Sequence, residues 1–378
     1  MALTIDIHAL QSLPPSNINR DDTGAPKSAV FGGAVRQRVS SQAWKRAIRK
    51  DFDSYLSKAD LGTRSKRVVD LVAKRVCLLD EGYSRETALK AAEAVFKAAG
   101  IKTVEPKVRE DEEPRAPETG YLLFLSDRQV EQAARFILDN GGKAPSKKQA
   151  KDILDQGHSI DVAMFGRMVA DAPDYNVDAA VQVAHAIGVH ESEPEFDYFT
   201  AVDDEVQRGG EETGAGMIGT IQMMSSTLYR FATIDVLSLR ENLGGDSEAT
   251  LTAASSFLRS FIRSLPTGKI TTFANNTLPE LVYVTVRDDR PVSLVNAFEN
   301  PVRGDEGTSR RRAAARALAE EARSVSEVYE MLPLASFIVS LSDLGEEMDG
   351  LGERVRLSEL LDRVTSVVRQ RLSEGSQA

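Results

Sequence analysis

Leu3, Ile5, Ile7 and Ala9 alternate with Thr4, Asp6 and His8, the period-2 pattern of a half-buried strand, and that pattern gives way to helical periodicity from about residue 54 to residue 190. Strand-like sequence returns between Phe196 and Phe231 and again at Leu281–Val286, where Val282, Val284 and Val286 alternate with Tyr283 and Thr285. One helix is expected from Ser40 or Ser41 to about Phe52, and another over Ser247–Ser264. With the helical block set aside, the order is strand, helix, strands, helix, strand. That is the order of a ferredoxin-like, RRM-type sheet, so the expectation is an α+β fold: a modified RRM/ferredoxin-like core carrying a large helical insertion.

Within the insertion, helices are expected over Arg64–Leu79, Arg85–Ala99, Asp127–Asn140, Lys147–Gln156 and Asp178–His190, with the acidic, proline-containing stretch Glu105–Thr119 as a loop. Residues 14–26 are dense in turn formers and read as a long loop, a place where function tends to sit. The glycines between Gly209 and Gly219, flanked by aromatic and β-branched residues, read as the tip of a long hairpin. Beyond residue 300 come an arginine run at 310–312, two further helical patterns and a possible strand at Ala335–Leu341.

Charge is segregated. The net charge is −10, which alone argues against a polyanion partner, yet residues 23–50 hold Lys27, Arg36, Arg38, Lys45, Arg46, Arg49 and Lys50 and no acid. On the first helix, Ala43, Trp44, Ala47 and Ile48 fall on one side and Gln42, Lys45, Arg46 and Arg49 on the other, one face to pack and one cationic stripe. A phosphate chain could follow that stripe from the free amides and serine hydroxyls of the helix start. The plain alternative is a solvated basic face. Trp44, the only tryptophan, is read as core.

Other features exclude functions. No run approaches the ~18 consecutive apolar residues of a membrane span, and the N-terminus shows no export signal. Cys77 is the only cysteine, so no disulfide can form within the chain, and a buried thiol in the reducing cytoplasm is expected. Walker, H-E-x-x-H, C-x-x-C and G-x-S-x-G signatures are absent. His8, His158, His185 and His190 have no metal spacing and are read as satisfied structural histidines. No catalytic residue, metal or cofactor is expected.

Asn19-Arg20-Asp21-Asp22, Phe31-Gly32-Gly33 running to Arg38-Val39-Ser40-Ser41-Gln42, Lys45-Arg46-Ala47, Gly166-Arg167-Met168, Ala184-His185-Ala186-Ile187, Phe199-Thr200-Ala201-Val202-Asp203-Asp204, Glu241-Asn242-Leu243-Gly244-Gly245 and Asn296-Ala297-Phe298-Glu299 occur in this order. Together they resemble the CasC family of the RAMP superfamily, the backbone subunits of type I-E CRISPR Cascade. The resemblance implies a palm from residues 1–55 and 227–378, helical fingers over 56–190 and a β-hairpin thumb over 191–226. It further implies a non-catalytic scaffold whose copies stack along a CRISPR guide RNA, join other Cascade subunits and leave the guide's bases free to pair with target DNA.

On that resemblance the RNA-binding residues are Asn19, Arg20, Lys27, Ser40, Ser41, Gln42, Lys45, Arg46, Arg49, Arg167, Met168, Phe199 and Thr200. Met168 and Phe199 would wedge against the guide where one base turns out, a contact that reads no sequence because every base has a π-face. Lys143, Lys147, Lys148 and Lys151 would draw in duplex DNA through its phosphates. Two rival readings follow from the residues. Asp21 and Asp22 could hold Mg²⁺ for metal-dependent RNA cleavage, or the chain could form filaments with RNA contact incidental.

Overall fold

The computed structural model describes residues 2–106, 115–201, 217–304 and 307–374. The chain divides into two compact units, one of Met1–Asp51, Val183–Thr233 and Ser255–Ala378, the other of Phe52–Gln182 and Ile234–Ala254. The fold is α+β with a central mixed sheet, as the sequence leads one to expect. Among the described residues no helix is long and apolar enough to cross a membrane.

The first unit carries the sheet. Strand β1 (Thr4–Ser16) pairs antiparallel with Leu281–Arg287, from Thr4 opposite Arg287 to Leu10 opposite Leu281. Along the sheet the strands run Glu353–Arg354, Ala335–Ser340, Leu281–Arg287, β1, Met217–Asp235, Ala186–Gly188, β3 (Ala34–Val39) and β2 (Ser28–Phe31). Helix α1 (Ser41–Phe52) follows β3, and helix Ser247–Arg263 lies between Met217–Asp235 and Leu281–Arg287 in sequence. Adjacent residues on a strand face opposite ways. Tyr229 therefore joins Leu281, Phe298, Leu318 and Ile338 in a core under helix Arg310–Val328. Arg230 points to the other face, where its guanidinium lies between Trp44 of α1 and Phe261.

Hairpin β2–β3 turns on Gly32 and Gly33, both at positive φ (58° and 75°), the backbone that a two-residue hairpin loop requires. Gly32 has a second reason to be glycine. A Cβ there would stand 1.6 Å from the Glu299 carbonyl oxygen, so Phe31-Gly32-Gly33 and Asn296-Ala297-Phe298-Glu299 form one packed contact.

In the second unit, helices Val68–Leu79, Arg85–Ala98, Asp127–Asp139 and Lys147–Leu154 enclose an aliphatic core that includes Val72, Val76, Val95, Phe96 and Ile137. Ser126 with Gln129 and Ser146 with Gln149 close capping boxes at two of the helix starts. Cys77 is a half-buried free thiol at the edge of this core. Of the stretch Glu105–Thr119, Glu118–Thr119 pairs with Thr103–Val104, while residues 107–114 lie outside the described residues.

Two sequence expectations are corrected. Gly62–Ser65 is a strand paired with Leu123–Ser126, so the helix expected from Arg64 begins at Val68. Asp178–His190 is not a helix: it forms strands Val181–Val183 and Ala186–Gly188. Ala186–Gly188 finds backbone partners on both sides, β3 on one and Met217–Asp235 on the other. Ladder pairing available only in the folded chain overrides the local helical pattern.

Candidate nucleic-acid interface

An RRM binds RNA by stacking bases on aromatic residues of an open sheet face. That face is filled here. Tyr229 and Tyr283 are buried, and His8 stacks with both and with Phe231 inside the protein. The opposite face is closed over Arg230, whose guanidinium reaches the Gln11 side-chain oxygen at 2.6 Å and the Phe261 carbonyl. With these parts of both faces covered, the rim of the sheet is the open part: the loop after β1, hairpin β2–β3 and the start of α1.

Hydrogen bonds, most of them between a side chain and the backbone, fix that loop to its surroundings. Asn17 donates from Nδ2 to the carbonyls of Gly24 (2.9 Å) and Gln222 (3.0 Å). Asn19 accepts from the Ser40 amide at 2.8 Å and, through its carbonyl, from the Lys27 amide at 2.9 Å. Ser40 Oγ in turn accepts from the Ala43 amide, so Ser40 is the cap of α1 and is buried. Asn19 and Ser40 thus act as struts that hold the loop to the helix start. Asp21 Oδ1 accepts from the Thr23 amide, the Thr23 hydroxyl and the Ala25 amide at 2.8–3.0 Å, and these bonds, Thr23's hydroxyl first, hold its pKa below the usual carboxylate range. Asp22 is exposed. Between residues 18–24 and Gly268 lies an open cavity of about 540 Å³. Glycine at 268 lets the two backbones approach closely there, since a Cβ would stand 2.1 Å from the Ile18 carbonyl oxygen.

The cationic stripe forms as expected on α1. Trp44, Ala47 and Ile48 are buried, Gln42 and Arg46 are exposed, and Ser41, Lys45 and Arg49 are half-buried. Arg20 is exposed and Lys27 half-buried. None of Arg20, Lys27, Lys45 and Arg46 takes part in an ion pair among the described residues. Partial burial lowers the Lys45 pKa. Arg36 leaves the surface count: it is buried and donates to the carbonyls of Gly188, Phe298 and Glu299 at 3.0–3.2 Å.

Strand Glu195–Ala201 pairs with the start of Met217–Asp235, placing Phe199 opposite Gly219. The Phe199 ring covers that glycine, whose added Cβ would meet it at 2.3 Å, yet Phe199 keeps 36% of its surface exposed. Phe196 (69%) and Tyr198 (63%) are more open still, and Thr200 is exposed. The glycine-rich tip, with Asp203 and Asp204, falls in 202–216, outside the described residues.

In the second unit, Arg167 corrects its sequence reading. It is buried, with Nε donating to the Tyr175 carbonyl at 2.9 Å and Nη2 3.4 Å from Asp155, and burial brings its pKa down to about 10. It braces the fold, and its neighbour Met168, 78% exposed, is the accessible member of the motif. Lys143, Lys147, Lys148 and Lys151 are exposed and free of ion pairs among the described residues.

Three histidines are structural: His8 is bonded to the Tyr229 hydroxyl, His158 to Gln129, and His190 to the Glu191 carbonyl and the Thr227 amide. His185 is likewise paired. It is exposed, with Nδ1 3.0 Å from Arg38 Nη1.

Two solved chains share this architecture. One, titled "CRISPR RNA-guided surveillance complex, pre-nicking", is 35% identical with a TM-score of 0.82 and covers 96% of this chain and 99% of its own. Another, titled "CRISPR RNA-guided surveillance complex", is 31% identical with a TM-score of 0.73 and the same coverage. No curated protein matches the chain. Residues 5–363 match the family described as CT1975-like proteins, and the chain accordingly belongs to that CRISPR-associated family.

Proposed function

We propose that this protein is the guide-RNA-binding backbone subunit of a type I-E Cascade, of the CasC kind. It holds the guide single-stranded, stacks with other copies of itself, joins other Cascade subunits in the cytoplasm and presents the guide to target DNA without cutting it. One observation carries the reading. Arg20, Lys27, Lys45 and Arg46 stand without ion-pair partners, among the described residues, on a loop and helix start fixed by Asn19 and Ser40. Elsewhere cations are commonly neutralised, as Arg75 is by Asp127 and Glu131 at 2.6 Å each. A fixed, uncompensated cationic rim suits the sequence-independent phosphate contacts a scaffold for many guides needs. The likeness to chains of RNA-guided surveillance complexes supports the same reading.

Phe199 and Met168 are the proposed wedges, and Lys143, Lys147, Lys148 and Lys151 the proposed DNA-attracting cluster. The scaffold reading is favoured over a nuclease by Asp21, whose Oδ1 already receives three donors from its own turn. The test is to express the protein with a CRISPR array, purify it and extract its nucleic acid. Co-purifying RNA of array length, intact after incubation with Mg²⁺, is expected. RNA-free filaments, or Mg²⁺-dependent shortening lost in Asp21→Ala, would overturn the proposal.

A further inference from the structure

Lys27, Arg38 and His185 come from three separate segments and meet at one edge of the first unit. Arg38 donates its backbone N–H to the Lys27 carbonyl at 2.9 Å and lies opposite Ile187, two residues after His185. Its side chain is positioned by a bond from Nε to the Ser28 carbonyl at 3.3 Å. Arg38 Nη1 then stands 3.0 Å from His185 Nδ1. An arginine can only donate, so Nδ1 must accept and the imidazole proton must sit on Nε2. His185 is thereby held neutral, with its remaining donor fixed in direction. Burial, then Arg38, then Lys27 lower its pKa, with no carboxylate counted against them among the described residues. This basic cluster, in which neither Lys27 nor Arg38 takes part in an ion pair among the described residues, lies two residues before the Ser40 cap of α1 and is continuous along the chain with the cationic stripe.

We propose that Lys27, Arg38 and His185 form one binding site for a backbone phosphate of single-stranded RNA, in which Arg38 both contacts the phosphate and holds His185 so that its Nε2–H donates to a phosphate oxygen. This rests on the RNA-binding reading above and adds to it a neutral donor that the charge pattern of the sequence does not reveal. An ammonium, a guanidinium and an imidazole N–H together match the several acceptor oxygens of a phosphodiester. A carboxylate of an acidic peptide offers fewer acceptors and is the lesser fit.

The site predicts a split between affinity and salt dependence. Loss of Lys27 or Arg38 removes a cation and makes the plot of log K against log salt shallower by about 0.7 each, the counterion yield of one single-strand phosphate contact. Loss of His185 removes a hydrogen bond but no charge, so affinity falls while the slope stays. The experiment is fluorescence anisotropy of the full chain with labelled single-stranded RNA over a salt series. Lys27→Ala, Arg38→Gln, His185→Ala and His185→Gln are compared, each checked for an unchanged melting temperature.

Expected are a loss of about tenfold for Arg38→Gln and a smaller loss for His185→Ala with the parental slope. Partial rescue in His185→Gln and a less than additive Arg38→Gln/His185→Ala pair are also expected. The exposed His185 variants keep the test informative should Arg38→Gln fail to fold. Parental affinity in both His185 variants would overturn the site, as would displacement of the RNA by polyglutamate as effective as by unlabelled RNA. If Lys45→Ala with Arg46→Ala weakens binding while these variants do not, only this site fails. If the parent shows no salt-dependent RNA binding, the functional reading fails with it.

Discussion

The Arg230 guanidinium lies 3.7 Å from the centre of the Trp44 indole and 4.4 Å from that of Phe261, a buried cation that ties α1 to the sheet with no carboxylate partner among the described residues. Burial lowers its pKa to about 9. The planar group stacks and at the same time donates to Gln11 and the Phe261 carbonyl, a combination an ammonium cannot reproduce. Arg230→Lys should cost ~2–3 kcal/mol in urea unfolding. A cost near zero would show that the stack does not hold the helix.

Gly32 and Gly33 share a positive φ but differ in their surroundings, which separates backbone strain from collision. A Cβ on Gly33 meets nothing within 4 Å, so Gly33→Ala should cost only the ~1–2 kcal/mol of the left-handed backbone. Gly32→Ala drives a methyl into the Glu299 carbonyl and should cost at least twice as much. Equal losses in thermal melts of the two variants would mean that the hairpin moves freely away from Glu299.

Stability should depend on pH through two buried groups of opposite sign. Burial takes His8 from 6.5 to about 3, so its contribution is present above pH 6.5 and is lost as pH falls toward 3. Burial raises Asp6 from 3.8 to about 6, partly countered by the Val292 amide, so its contribution is present at low pH and is lost as pH rises through 6. Between these limits the two oppose each other. His8→Gln removes only the first, so its stability relative to the parent should improve by about 2 kcal/mol between pH 7 and pH 5. Urea unfolding at the two pH values measures this, and a constant difference would mean that His8 is not held neutral.

Much of the fold is legible because its periodicities are local. The alternation of Leu3, Ile5 and Ile7 and the apolar side of α1 at Trp44, Ala47 and Ile48 each read directly onto buried positions. Ala186–Gly188 is not legible, because what makes it a strand is two neighbours far away in sequence. The family motifs mislead in a particular way. Several mark residues that hold the fold: Gly32 against Glu299, Arg167 within its own unit, and Asn242 donating to the carbonyls of Ala163 and Asp178. A motif says that a residue matters; whether it faces inward or outward is decided by packing. For His185 the signal was present in Ala184-His185-Ala186-Ile187, but its exposure and the donor from Arg38 exist only in the folded chain.

The cationic rim is tested most directly by the salt dependence of RNA binding in the parent and in Lys45→Ala with Arg46→Ala, using two single-stranded RNAs of unrelated sequence. Phosphate contacts carry charge but no base information, so both RNAs should lose affinity equally. The slope of log K against log salt should become shallower by about 1.4, two contacts' worth. An unchanged slope, or a loss confined to one RNA, would contradict a guide-holding scaffold that grips the backbone from α1.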